Sequence, residues 1–371
     1  MAYLEKSGRK FRPKSFSLFP SLFSRWGEKS YLSLDIGSSS VKLLEVRGDG
    51  NALRILHADI APLPADAVQS NMVQDSESVT QAIRMLLEEH KIKATEVITA
   101  VPGPAVIIKR ATFPAQDPQE LHETILFEAG NFIPESLDNV NLDYQMFDHN
   151  SEADHVDVLL VAVRKDVIKS FLTPISDAGL APIIVDVDYF ALENMFELNH
   201  TPAPEETIAL INIGARYSSI NIMKTGRSTF TGDIPFGGRQ FTESLAQELG
   251  LTDEQAEDVK ITGRTEGRYK EEVERILAIT SGQFFDEIQR AFSFFWTDPG
   301  DHISSIYLSG GSAQVPGLAS AMSERLQIPV EIADPFRLLT ISRQADTEFI
   351  RQHASTLAVS AGLATRRPGD K

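Results

Sequence analysis

Apolar and polar positions alternate over residues 31–36 and turn apolar again over 41–46, with Gly37-Ser38-Ser39-Ser40 between them. Small polar residues joining two such runs mark a tight connection, so the pattern predicts a β-hairpin. Residues 53–60 read as a further strand ahead of a proline-marked loop. Val79, Ile83, Leu86 and Leu87 then recur at helical spacing, which predicts a helix over 79–90; residues 97–101 return to strand before Pro102-Gly103-Pro104.

From residue 105 the pattern becomes a compact α/β module. A strand over 106–108 leads to a helix that opens at Asp117, Pro118 and Glu120, because Asp caps and Pro fits the first turn, and runs to Phe132. Strands over 140–147 and 156–163 follow, then a helix over 166–178 stopped by Gly179, a strand over 183–187 and a segment over 190–196 leading out of this half. Thr201-Pro202-Ala203-Pro204 reads as a crossing point, since proline continues neither helix nor sheet.

The second half restates the opening of the first. Strand 208–213, the turn Gly214-Ala215-Arg216-Tyr217 and strand 218–223 repeat the plan of residues 31–46 roughly 177 residues later, which points to two related lobes facing each other. Helices are expected over 241–249 and from Thr252, where Thr252 and Gln255 fit a capping box, with one or two longer helices over 271–296. A strand over 303–308 enters Ser309-Gly310-Gly311-Ser312. A helix over 318–326 and a small-residue helix over 354–364 precede a frayed end over 366–371.

Composition narrows the classes. A chain of 371 residues can bury several cores, and 42% apolar with 23% charged residues is ordinary soluble usage. The net charge of −17 argues against nucleic-acid binding, which needs clustered cations. Charge is uneven, however: residues 1–30 hold Lys6, Arg9, Lys10, Arg12, Lys14, Arg25 and Lys29 against only Glu5 and Glu28. Phe16, Leu18, Phe19, Leu22, Phe23 and Trp26 are interleaved with those cations, so the segment reads either as a disordered extension or as a contact for an anionic membrane surface or a partner. Its Ser and Pro interruptions do not fit a signal peptide. No apolar run approaches the ~20 residues of a membrane-spanning helix. The absence of cysteine removes disulfides and thiolate sites and fits a reducing compartment.

Three glycine-bearing turns each follow a strand: Asp35-Ile36-Gly37-Ser38, Asn212-Ile213-Gly214-Ala215 and Ser309-Gly310-Gly311-Ser312. Such turns expose backbone N–H groups and let phosphate oxygens approach without a Cβ clash, although one alone reads first as a plain tight hairpin. Their order and spacing resemble the actin, heat-shock chaperone and sugar kinase superfamily. Further stretches are similar to the PilM family of type IV pilus assembly proteins: Asp35 to Lys42, Phe127-Glu128 through Ile133-Pro134 to Asn141-Leu142-Asp143-Tyr144, Val185 to Leu192, Pro235 to Gly238, and Leu308 to Gly317.

That resemblance implies an α/β, actin-like (ribonuclease H-like) duplicated two-lobe fold with an inserted subdomain of the FtsA and PilM type. The implied divisions are an extension over 1–30, subdomain 1A over 31–104, inserted subdomain 1C over 105–185, and a return to 1A over 186–204. Subdomain 2A follows over 205–240, 2B over 241–300, 2A again over 301–348, and a C-terminal helix returning to 1A over 349–371. ATP or ADP with Mg²⁺ is the implied cofactor. Asp35 would hold the Mg²⁺ through water, and Gly37, Ser38, Ser39 and Lys42 would face Asn212, Gly214 and Ala215 across the phosphates. Glu257, Lys260, Gly310, Gly311 and Ser312 would surround the nucleoside. Asn212 stands where actin and the chaperones carry Asp, so binding is expected to outrank hydrolysis. Asp188 is the candidate to polarise water, with a plain turn role as the alternative.

The implied function is a nucleotide-binding adaptor at the cytoplasmic face of the inner membrane. Its partner would be the cytoplasmic N-terminal peptide of a PilN-like protein, linking PilO, PilP and the pilus motor ATPases indirectly, with peripheral membrane association through residues 1–30. Two rivals stand beside it: an FtsA-like filament former, whose membrane helix has no counterpart in the polar residues 365–371, and a sugar or acid kinase, for which no second carboxylate motif is evident.

Overall fold

The computed structural model describes residues 29–48, 52–115, 117–147, 155–200, 203, 206–264, 270–295 and 302–370. The expected extension over 1–30 lies outside the described residues apart from Lys29 and Ser30, as does the crossing point over 201–204 apart from Ala203.

The first lobe opens with an antiparallel meander, β1 (Ser30–Ile36), β2 (Ser40–Arg47) and β3 (Arg54–Pro62). A two-stranded ribbon, β4 (Val68–Gln69) and β5 (Met72–Val73), leads to α1 (Ser76–Glu89), and β6 (Glu96–Val101) then lies parallel to β1. Helix α1 starts where Asp75 accepts the N–H of Ser78, and buries Val79, Ile83 and Leu86 on one stripe against the sheet.

Next comes a separate three-stranded antiparallel sheet in the order β7-β9-β8, made of β7 (Val106–Pro114), β8 (Val140–Met146) and β9 (His155–Arg164). One face is covered by α2 (Pro118–Phe132), whose Leu121 and Ile125 pack with Phe113, Val156, Val158 and Leu160. Strand β7 runs six residues past the expected end at 108, because Ala111 and Phe113 are buried between exposed Lys109, Arg110 and Thr112. Helix α3 (Lys165–Asp177) and strand β10 (Ala181–Val187) rejoin the first lobe, with β10 parallel to β6 and Gly179 at φ +87° closing the helix. The expected 105–185 span thus ends inside a strand of a six-stranded sheet of order β10-β6-β1-β2-β3 with β16 (Thr340–Ile341) at its far edge. Helix α4 (Asp188–Asn199) follows directly.

The second lobe repeats the first. Strands β11 (Thr207–Ile213), β12 (Ser218–Lys224) and β13 (Arg227–Ile234) form a meander; after α5 (Gly238–Leu249), α6 (Asp253–Thr262) and α7 (Lys270–Phe295), β14 (Ser305–Ser309) lies parallel to β11. Helix α8 (Leu318–Leu326) and β15 (Val330–Ile332) complete the sheet β13-β12-β11-β14-β15, the counterpart of β3-β2-β1-β6-β10. The long apolar stretch over 271–296 is one helix within the described residues. It packs Val273, Ile276, Phe284, Ile288 and Phe292 into the second-lobe core.

The chain then returns to the first lobe. Strand β16 (Thr340–Ile341) joins β3, α9 (Thr347–Gln352) follows, and α10 (Ala358–Leu363) packs on α4 after a single 3₁₀ turn at Ser355–Leu357. The small residues of α10 have a physical reason: a Cβ on Gly362 would sit 1.7 Å from the carbonyl oxygen of Ala191, so only glycine allows the helices this close. The same buried cluster includes Ile208, Leu210 and Met223 of the second lobe, so the lobes share a core beneath the cleft.

Candidate functional site: a cleft between the duplicated lobes

The first glycine turn is set by hairpin register. Pairing of β1 with β2 places Lys42 opposite Asp35, with Lys42 Nζ 3.1 Å from Asp35 Oδ2, and the Gly37 N–H closes the turn on the Ser40 carbonyl at 3.0 Å. A side chain on Gly37 would meet Lys42 Nζ at 2.6 Å. Ser38 and Ser39 are left at the tip, facing the cleft.

The second turn has the same construction at Asn212, Gly214 and Ala215. The Gly214 N–H donates to the Tyr217 carbonyl at 3.1 Å, and the carbonyls of Gly214 and Ala215 each accept at 2.8 Å from the N–H groups of Gly238 and Arg239 at the start of α5. Gly237 permits this seating, since a Cβ there would lie 2.7 Å from both carbonyl oxygens. Asn212 Oδ1 accepts from the Ser309 hydroxyl at 3.2 Å, so the amide is engaged by the neighbouring strand. In the third turn, Gly310 adopts φ +87° and a Cβ would fall 2.4 Å from the Ile213 carbonyl oxygen, which excludes every other residue.

All three turns open on a cavity of about 760 Å³ between the lobes, within the size range of small-molecule sites, and the first two also line a small pocket of about 70 Å³ at its floor. The wall opposite the first two turns holds Glu257, Lys260, Gly310, Gly311 and Ser312. The two α6 residues, one turn apart, differ in exposure. Lys260 is buried, with Nζ 2.6 Å from Glu257, 3.3 Å from the Thr242 hydroxyl and 3.4 Å from the Gly238 carbonyl, while the Glu257 side chain is half exposed. Burial lowers the Lys260 pKa against the raising effect of Glu257.

Asp188 lies on the pocket floor at the start of α4. Oδ1 accepts the Gly103 N–H at 2.9 Å and Oδ2 accepts the Tyr217 hydroxyl at 3.1 Å, so the carboxyl joins first lobe to second. Burial, then the nearby Asp233, push its pKa up to about 8. A carboxyl with both oxygens engaged and a proton held at neutral pH is poorly placed to activate water. Asp233 itself is raised to about 6, by burial, against a hydrogen bond from Tyr189.

Thr242, Arg216, Tyr217, Gln314, His353 and Thr356 also line the cleft or its floor, beyond the residues that the sequence singles out. Arg216 and Tyr217 were visible inside the second turn; the others reach the cleft only through tertiary packing. Among the described residues no group of three or more His, Cys, Asp or Glu could hold a metal ion, and no helix is long and apolar enough to cross a membrane.

A second cavity of about 420 Å³ lies where the three-stranded sheet meets α4 and the β12–β13 turn. Met146 and Phe147 line one side, and Asp186, Glu193 and Glu197 the other. Burial and then Glu197 raise the Glu193 pKa to about 7, and its Oε1 accepts the Ser228 N–H at 3.1 Å; Asp186 faces Arg366 at 3.1 Å.

The structure resembles a PilM–PilN type IV pilus biogenesis complex with a TM-score of 0.80 and 26% identity, covering 91% of this chain and 99% of that one. MreB 5 of Spiroplasma citri bound to AMPPNP matches with a TM-score of 0.52 and 13% identity over 90% of this chain and 94% of that one, a likeness of fold. Cell division protein FtsA of Bacillus subtilis is 21% identical over 359 residues, 82% of this chain and 78% of that protein. A family model described as type IV pilus assembly protein PilM matches residues 33–368. The chain therefore belongs to the PilM family of type IV pilus assembly proteins, on the actin-like fold that its duplicated lobes display.

Proposed function

We propose that this protein is a nucleotide-binding adaptor of type IV pilus biogenesis that captures the short N-terminal peptide of a PilN-like inner-membrane protein at the cytoplasmic face. The observation that carries the reading is the cleft built by two hairpin turns of the same design, each presenting backbone amides, within a PilM-family chain.

ATP or ADP sits with its phosphates between residues 37–39 and 214–215 and its nucleoside against Gly310, Gly311, Ser312 and the Glu257–Lys260 pair. Asp35 would contact Mg²⁺ through water, since one carboxylate together with phosphate oxygens suits a cation that keeps several waters. Lys42, now on Asp35, is within reach of the same phosphates. Asn212 brings no carboxylate to the second turn and Asp188 has its oxygens engaged, so retention of nucleotide rather than turnover is the expected behaviour.

The partner peptide lies in the groove between the three-stranded module and α4, where Met146 and Phe147 offer apolar contact and Glu193 and Glu197 favour backbone N–H or cationic groups. PilO, PilP and the motor ATPases are then reached through that partner. Titration calorimetry with Mg-ATP tests the nucleotide half: micromolar binding by the wild type, lost in Gly214→Val, supports it. Equal affinity in both proteins rejects the cleft as the nucleotide site.

A further inference from the structure

The turn over 214–217 does more than present amides. Its carbonyls are pinned by the first N–H groups of α5, so its backbone cannot shift without moving the helix that carries Thr242. Its last two side chains both leave the second lobe. Tyr217 passes beneath the cleft to Asp188. Arg216 passes over the cleft mouth, where its guanidinium donates to the Ala65 carbonyl and lies 3.6 Å from Asp66. The receiving loop is itself tied to the other phosphate turn, since the Leu63 N–H donates to the Ser39 carbonyl at 2.9 Å. Ser39, Leu63, Ala65 and Arg216 thus form a chain of contacts that runs from the first turn to the second across the cleft, and both Ala65 and Arg216 line the cavity.

We propose that Arg216 is a strap across the nucleotide cleft: its contact with the Ala65 carbonyl holds the two phosphate turns together and sets how slowly a bound nucleoside triphosphate leaves. The inference rests on the nucleotide reading above. A planar guanidinium with five donors can keep a carbonyl and face a phosphate oxygen at once, which the single ammonium of lysine does less well. Arg239 is the internal comparison. It lines the same cavity with the same charge but stays in the second lobe, paired with Glu243 at 2.7 Å. Loss of charge alone affects both arginines alike, whereas loss of a strap affects Arg216 only.

Stopped-flow release of methylanthraniloyl-ATP with Mg²⁺ from the full chain separates these. Arg216→Ala is expected to release the probe about tenfold faster, the range for one charge-assisted hydrogen bond. Arg239→Ala should change release about twofold or less, as an exposed charge does. Arg216→Lys should fall between Arg216→Ala and the wild type. Unfolding midpoints of the unliganded variants within a degree or two of wild type show that the fold is intact, as both side chains are partly exposed. Equal acceleration by Arg216→Ala and Arg239→Ala, or none by either, overturns the strap while leaving nucleotide binding standing. Failure of the wild type to bind the probe overturns both.

Discussion

Asp188 shows how environment decides what a carboxyl can do. Its folded pKa of about 8 lies above the usual 3.8, so the folded protein holds this proton more tightly than the unfolded chain. The stabilisation from the neutral form is therefore complete below about pH 4 and disappears as pH rises through about 8. Asp188→Asn keeps an acceptor for Gly103 and a polar partner for Tyr217 without a titratable group. Scanning calorimetry should find a smaller loss of stability between pH 6 and pH 9 in the variant than in the wild type. Glu193 and Asp233 titrate in the same direction and leave part of the slope in both proteins. An unchanged slope would mean that Asp188 is already ionised in the fold. Nothing in the sequence separated a lobe-joining Asp188 from a catalytic one, because the partners that engage it, Gly103 and Tyr217, come from 85 and 29 residues away.

At the scale of elements, what was legible was local. The hairpins at 30–47 and 207–224 declare themselves by two apolar runs around a small polar turn, and the Thr252–Gln255 capping box forms as read. Strand β13 escaped because it is an edge strand with Gly232 inside it and no clean alternation. The two residues of β16 are strand only because β3 offers them an edge. The crowding of α10 on α4 is likewise invisible in a run of small residues, yet it makes a sharp demand. Gly362→Val should destabilise by about 1–3 kcal/mol or more in urea unfolding, since overpacking against a backbone carbonyl has no easy relief. In the third turn, Gly310→Ala combines an unfavourable positive φ with the Ile213 carbonyl. Calorimetry should show weaker Mg-ATP binding by about tenfold or more, because the turn must move out of the nucleoside wall. Retained affinity in that variant would place the nucleoside elsewhere.

For the whole molecule, the lobes are joined below the cleft by a common core and across it by the Asp188–Tyr217 and Ala65–Arg216 contacts, an arrangement in which a ligand between the lobes can fix their relation. The groove proposed for the partner peptide lies at the junction of the inserted sheet, α4 and the β12–β13 turn of the second lobe, so it depends on that same relation. Arg110 donates to the Ser228 carbonyl, and Arg110 and Arg227 lie 5.2 and 5.5 Å from the Phe147 ring, linking the module to the second lobe. Nucleotide in the cleft and peptide in the groove should therefore favour one another, by the same factor in each direction.

The most direct measurement is calorimetric titration of the protein with a synthetic peptide of the PilN-like partner's cytoplasmic N-terminus, with and without Mg-ATP. Affinity is expected in the micromolar range or better, about −8 kcal/mol, strengthened by Mg-ATP and weakened by Glu193→Gln. Absence of peptide binding in both states, from a protein that still binds Mg-ATP, would contradict the adaptor reading and favour an FtsA-like filament former.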